Sequence, residues 1–228
     1  MSTNGQQPSL QLSILDQSPS HGGEDAAQSF QRTIELATKA DGWVYHRYWV
    51  AEHHSSDRVM GSSPEVLISH LLAKTNRIRV GSGGVMLQHY SPYKVAENFN
   101  VLASLAPGRV DLGIGRGPGG LPQSTMALQQ AVAGERSISD KISELREFLQ
   151  GDLPESHALH GLKASPRPPE SADIYLLGTS ASSAEMAAEF ALPYVFALFL
   201  NSDQDVMTKA MVNYHRLFDP GKITKKRA

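Results

Sequence analysis

The residues able to do chemistry fall into four short clusters. Glu52-His53-His54 sets two imidazoles side by side, and imidazole is the side chain that titrates near neutral pH. One ring can therefore serve as a positioned acid or base while the other packs or caps; an ordinary surface pair is the alternative. Gly81-Ser82-Gly83-Gly84 strips the backbone of side chains, which either admits a flat ligand at close range or makes a simple bulge. Gly115-Arg116-Gly117-Pro118-Gly119-Gly120 contains a formal G-x-G-x-x-G. Pro118, and the absence of a convincing helix after it, argue against a dinucleotide fingerprint. Arg116 in open glycine surroundings suits a bidentate grip on an anion, with a surface arginine as the alternative. Thr179-Ser180-Ala181-Ser182-Ser183 gathers four hydroxyls where a helix opens, and such a start favours phosphate through free N–H groups and the helix dipole. Simple N-capping accounts for one of the four. A metal site would need further His, Asp or Glu at matching strand ends, and the sequence offers none, so no metal ligand is assigned.

These clusters need a scaffold that brings them together. The hydrophobic pattern alternates short β-like runs with helical stretches, as in a parallel sheet built from βα units. Strands are expected at Leu10 to Leu15, Arg47 to Ala51, Ile78 to Ser82, Arg109 to Ile114, Asp173 to Leu177 and Tyr194 to Leu200. Helices are expected at about Glu24 to Lys39, Pro64 to Lys74, Pro92 to Leu105, Glu135 to Gln150, from Ser180, and at Asp203 to Phe218, with Phe196, Phe199, Met207 and Met211 in the core. In a parallel βα fold ligands bind at the carboxyl ends of the strands, and all four clusters follow strands there. Six units match the first six of an eight-unit TIM-like (β/α) barrel, with an open doubly wound α/β sheet as the alternative; two further units would take roughly 60 residues. One domain spans residues 1–228, and 219–228 reads as a disordered tail.

Composition narrows the function. The chain has 228 residues, 21 basic against 23 acidic, so no global field favours nucleic acid. Without cysteine there is no disulfide framework and no thiol nucleophile. The polar start lacks the basic and apolar stretches of a signal peptide, and the longest apolar run, Ala191 to Leu200, is about half a membrane span. The expectation is a cytoplasmic protein with no membrane partner.

Taken together, Leu12-Ser-Ile-Leu-Asp-Gln-Ser-Pro19, Arg47-Tyr-Trp-Val-Ala-Glu-His-His54, Ser63-Pro-Glu65, Arg77 to Leu87, His89-Tyr-Ser-Pro92, Lys94-Val-Ala-Glu97, Pro107-Gly-Arg109, Asp111 to Gly117 and Leu176-Leu-Gly-Thr-Ser180 resemble the bacterial luciferase-like flavin monooxygenases, in particular their MsnO8-type branch. The resemblance implies a TIM-like barrel that takes reduced FMN (FMNH2) from a separate flavin reductase. With dioxygen it would form a peroxyflavin and oxidise a small-molecule organic substrate. By position it implies a catalytic role for His53, a cis peptide at Gly83-Gly84 beneath the isoalloxazine, a flavin-phosphate contact for Arg116, and a phosphate loop of Thr179, Ser180 and Ser183. Three other readings remain: a non-catalytic flavin-binding or interaction protein, an oxidoreductase that uses the deazaflavin F420 for hydride transfer, and a metal hydrolase on a barrel. Family members usually continue through strands 7 and 8. The edges of strands 1 and 6 are therefore expected to be bare, and a homodimer is the expected way to cover them.

Overall fold

The computed structural model describes residues 10–130, 136–151 and 153–222. Its elements run β1 (Ser13–Asp16), α1 (Ala26–Gly42), β2 (Arg47–Val50), α2 (Pro64–Lys74), β3 (Arg79–Met86), α3 (Pro92–Leu105), β4 (Val110–Gly115), α4 (Pro122–Gln129), α5 (Ile138–Gln150), β5 (Asp173–Gly178), α6 (Ala181–Glu189), β6 (Tyr194–Phe196) and α7 (Gln204–Leu217), with single 3-10 turns at Leu87–His89 and Pro220–Lys222. Local chemistry sets the helix starts. Asp25 accepts from the Gln28 N–H at 2.8 Å while the Gln28 side chain accepts from the Asp25 N–H at 3.0 Å, a reciprocal box that opens α1. Pro64 and Pro92 stand at the first turns of α2 and α3, where a missing N–H costs nothing.

All six strands are parallel and pair in chain order, β1 to β6, forming an α/β half-barrel. Successive side chains alternate between its faces. Tyr48, Val50, Val80, Val110, Leu112, Ile114 and Leu176 join Ile68, Leu71, Phe99, Leu102, Ile142 and Leu145 in the buried core between sheet and helices. The other face carries charge. Asp111, fully buried, accepts from Arg47 Nε (2.9 Å) and Trp49 Nε1 (3.0 Å) on one oxygen and from Arg79 Nε (2.9 Å) on the other. Arg79 also reaches Asp173 at 2.8 Å, and Arg47 lies over the Tyr175 ring. Where a closed barrel fills its interior with branched apolar layers, this sheet carries a lattice of paired charges. No helix is long and apolar enough to cross a membrane among the described residues.

The structure corrects several expectations. β6 is three residues long, because the chain turns after Phe196 with Leu198 and Asn201 donating back to Phe196 and Ala197 carbonyls. Phe199 is consequently 56% exposed rather than core. A helix, α4, does follow the glycine loop; it buries none of its residues, so no apolar period announced it. β1 starts at Ser13, leaving Leu10 and Leu12 exposed. Within the expected tail, residues 220–222 form a turn and 223–228 lie outside the described residues.

Candidate functional site at the carboxyl ends of β2 to β5

The predicted site residues occupy one rim. His53 follows β2, Gly83 and Gly84 lie in β3, Arg116 follows β4, and Thr179, Ser180 and Ser183 follow β5. These four strands are consecutive in the sheet, so three interstrand spacings, about 14 Å along the hydrogen-bonding direction, separate the outermost two.

The two imidazoles are sorted by their surroundings. His54 is held: its Nε2 lies 2.7 Å from Glu52 Oε1, and that carboxylate, 1% exposed, also accepts from Tyr90 Oη at 2.8 Å and the Met86 N–H at 3.0 Å. Burial and the carboxylate push the Tyr90 phenol far above its ordinary pKa, so it stays a donor. His53 is different. Its backbone donates to the Gly61 carbonyl at 2.7 Å, but its buried Nδ1 has no hydrogen-bond partner among the described residues. Burial holds its pKa below the ordinary imidazole value, against the raising effect of Glu52 and with the help of His54. His53 is thus a neutral ring with an unsatisfied nitrogen, a group a bound molecule can complete.

At β3 the glycines form a bulge that contains a cis peptide. The Gly83–Gly84 peptide is cis, and the β3–β4 register slips by one residue between Gly83 and Val85, a bulge. Close packing demands the missing side chains: a Cβ on Gly83 would lie 2.6 Å from Leu15 Cδ1 and 3.2 Å from Trp49 Cβ, and one on Gly84 would lie 2.7 Å from the Gly113 carbonyl oxygen.

Arg116 is exposed and makes no hydrogen bond or ion pair with the described residues. Ile114 pairs with Leu176, so two residues further on Arg116 stands one strand away from Gly178 and the turn into α6. In that turn the hydroxyls divide. Ser180 is the N-cap of α6 and accepts from the Ser183 N–H at 3.3 Å, while Ser183 Oγ accepts from the Ser180 N–H (3.2 Å), donates to the Ser180 carbonyl (2.7 Å) and meets Tyr194 Oη at 2.9 Å. A capping box therefore employs two of the four hydroxyls, and Ser183 is turned toward Gly178 and Tyr194. The N–H groups of Ala181 and Ser182 have no acceptor among the described residues and remain available to an anion. No group of three or more His, Asp or Glu side chains able to hold a metal occurs among the described residues.

Sequence reasoning did not find Tyr90 and Gln88, which act through the fold. Tyr90 reaches Glu52 across 38 positions, and Gln88 Nε2 donates to the Gly117 carbonyl at 2.8 Å. No local spacing signals either contact.

The model of the luciferase-like monooxygenase family matches residues 10–217. N-acetyl-S-alkylcysteine monooxygenase of Bacillus subtilis (strain 168) is 46% identical over 213 residues, which are 93% of this chain and 64% of that protein. The crystal structure of apo-MsnO8 superimposes with a TM-score of 0.84 at 41% identity, over 92% of this chain and 61% of that one. The oxygenating constituent of 3,6-diketocamphane monooxygenase from Pseudomonas putida, a type II Baeyer-Villiger monooxygenase in complex with FMN, shares the fold with a TM-score of 0.70 at 20% identity, over 96% and 65% of the two chains. The chain spans less than two thirds of the length of each of these relatives.

Proposed function

Because the chain belongs to the luciferase-like monooxygenase family, we propose that it forms the flavin-holding part of an FMN-dependent monooxygenase acting on a small organic substrate. A separate reductase would supply the reduced flavin. Bound reduced FMN supplies the reaction with dioxygen that oxidises the substrate. The residues present suit that group: among the described residues the buried His53 Nδ1, the Arg116 guanidinium and two N–H groups at the start of α6 have no partner, and all lie at the ends of neighbouring strands.

In this reading each residue has a separable task. Arg116 and the Ala181 and Ser182 N–H groups hold the phosphate, the first by charge and the others by aligned backbone donors. Thr179 and Ser180 line the same turn, with Ser180 fixing the helix start. Gly83 and Gly84 present backbone rather than side chain toward the ring system. His53, neutral because it is buried, takes up or returns a proton at the nitrogen its own chain leaves unsatisfied. The observation that carries the reading is that Arg116, without a partner among the described residues, follows the strand next to the one that leads into the unsatisfied N–H groups of α6.

Flavin titration tests it. Replacing Arg116 by Ala removes a charge-assisted contact, and FMN should bind roughly tenfold to a hundredfold more weakly. Riboflavin, which lacks the phosphate, should bind as before. Equal weakening of both flavins overturns the phosphate assignment.

A further inference from the structure

The loop that carries Arg116 has little of its own to hold it. Gly117, Gly119 and Gly120 allow it many conformations, and Gly117 and Pro118 are exposed. Yet its three successive carbonyls after Arg116 are each met by a donor: Gly117 O by Gln88 Nε2 at 2.8 Å, Pro118 O by His89 Nε2 at 2.8 Å, and Gly119 O by the His54 N–H at 2.7 Å.

We propose that Gln88 and His89 are positioning residues for Arg116, closing with the His54 backbone a clasp on the Gly117–Gly119 carbonyls that presents the guanidinium to the flavin phosphate. The inference rests on the phosphate reading above and adds what makes that contact effective.

The clasp is mounted on rigid supports. Gln88 and His89 sit in the 3-10 turn after β3, and the buried Lys141 ammonium donates to the carbonyls of Gln88 (2.7 Å) and Tyr90 (3.2 Å) on either side. His89 is 2% exposed, and its Nδ1 lies 3.2 Å from Gln129 Nε2 on α4. Because an amide nitrogen can only donate, one neutral tautomer, with the proton on Nε2, satisfies both contacts. On the other side the loop packs closely on its neighbours: a Cβ on Gly119 would lie 3.0 Å from Met86 Cγ, and one on Gly120 2.6 Å from Ser124 Oγ and 2.7 Å from the His54 carbonyl oxygen. A long, flexible arginine pays an ordering cost when it grips a ligand. If its backbone were also loose, that cost would grow, so fixing the loop beforehand strengthens the grip without touching the ligand.

The test compares FMN and riboflavin dissociation constants, read by flavin fluorescence quenching, on the whole chain. Gln88 is half-buried, so Gln88→Met keeps its length and removes its donor with little threat to folding. FMN should bind about threefold to tenfold more weakly, the range expected for one hydrogen bond, and riboflavin should be unchanged. His89→Leu should act in the same direction, and His89→Gln, which keeps a donor near the Nε2 position, should restore affinity. If His89→Leu fails to fold, Gln88→Met decides. In an Arg116→Ala background, Gln88→Met should have no further effect on FMN, which a merely structural role would not predict. Equal weakening of both flavins, or further loss of FMN affinity without Arg116, overturns the clasp. If Arg116→Ala loses FMN selectively while Gln88→Met changes nothing, the clasp fails and the phosphate reading stands. If Arg116→Ala itself does not discriminate between the flavins, the phosphate reading fails and the clasp falls with it.

Discussion

A histidine whose buried nitrogen has no partner is poised differently from one bound to a carboxylate, and this separates His53 from His54. In the proposed enzyme His53→Ala should leave FMN binding largely intact and lower turnover by roughly a hundredfold, the scale of a positioned acid–base group. An active His53→Ala beside an inactive His54→Ala would reverse the assignment. The sign of the pH dependence follows from burial, which lowers the His53 pKa. The ring stays neutral until the medium is more acidic than its ordinary value, so the acid limb of kcat/KM should fall below pH 6.5. A limb above that value would exclude His53 as the titrating base. The residue types were legible in the sequence because strand ends and unusual composition coincide at Glu52-His53-His54 and at Arg116. Their partners were not: what immobilises His54 includes Tyr90, brought in by the fold, and Ser183 is absorbed by a capping box whose third position carries serine in place of the usual Glu or Gln.

Among the elements, the joint between α1 and β3 shows how a single carboxylate sets a strand. Asp41, in the last turn of α1, accepts from the N–H groups of Asn76 (2.9 Å), Arg77 (3.1 Å) and Ile78 (2.7 Å) as the chain enters β3. Burial works to raise its pKa, but those three donors and the Arg77 charge outweigh it and hold the carboxyl below the ordinary aspartate value. A depressed native pKa contributes stability above the unfolded value, about 3.8, that is lost as pH falls through the native one. Asp41→Ala should therefore melt lower than the parent at pH 7, and the gap should narrow as the pH is taken below about 3.8. A gap that stays constant across that range would mean the ionised carboxylate contributes nothing. Element legibility varied for physical reasons. Pro64 and Pro92 mark helix starts unambiguously, so the expected and observed bounds of α2 and α3 coincide. The run from Tyr194 to Leu200 reads as one strand, yet its second half is a turn with Leu198, Phe199 and Leu200 exposed by 46, 56 and 70%. Nothing in the pattern distinguished them from core. α4 had a start signal in Pro122 but no apolar face to confirm it.

At the scale of the molecule, the half-barrel leaves β1 and β6 each paired on one side only among the described residues. On the face opposite the helix-packed core, Arg47, Arg79, Asp111 and Asp173 pair with one another. That lattice tolerates water, so association should be driven by the edges, where Leu10 and Leu12 beside β1 and Leu198 to Leu200 beyond β6 are exposed. The isolated 228-residue chain should sediment as a dimer at micromolar concentration, and Leu12→Lys should shift it toward monomer. A monodisperse monomer of the parent chain would show that the edges are already protected. The strand order has a consequence for synthesis as well. Because every strand pairs with its predecessor in the chain, each βα unit leaving the ribosome meets a finished edge on which to dock, and none must wait for a later partner to be inserted between neighbours. The sheet can be laid down in the order of translation, with each new strand added at the same growing edge.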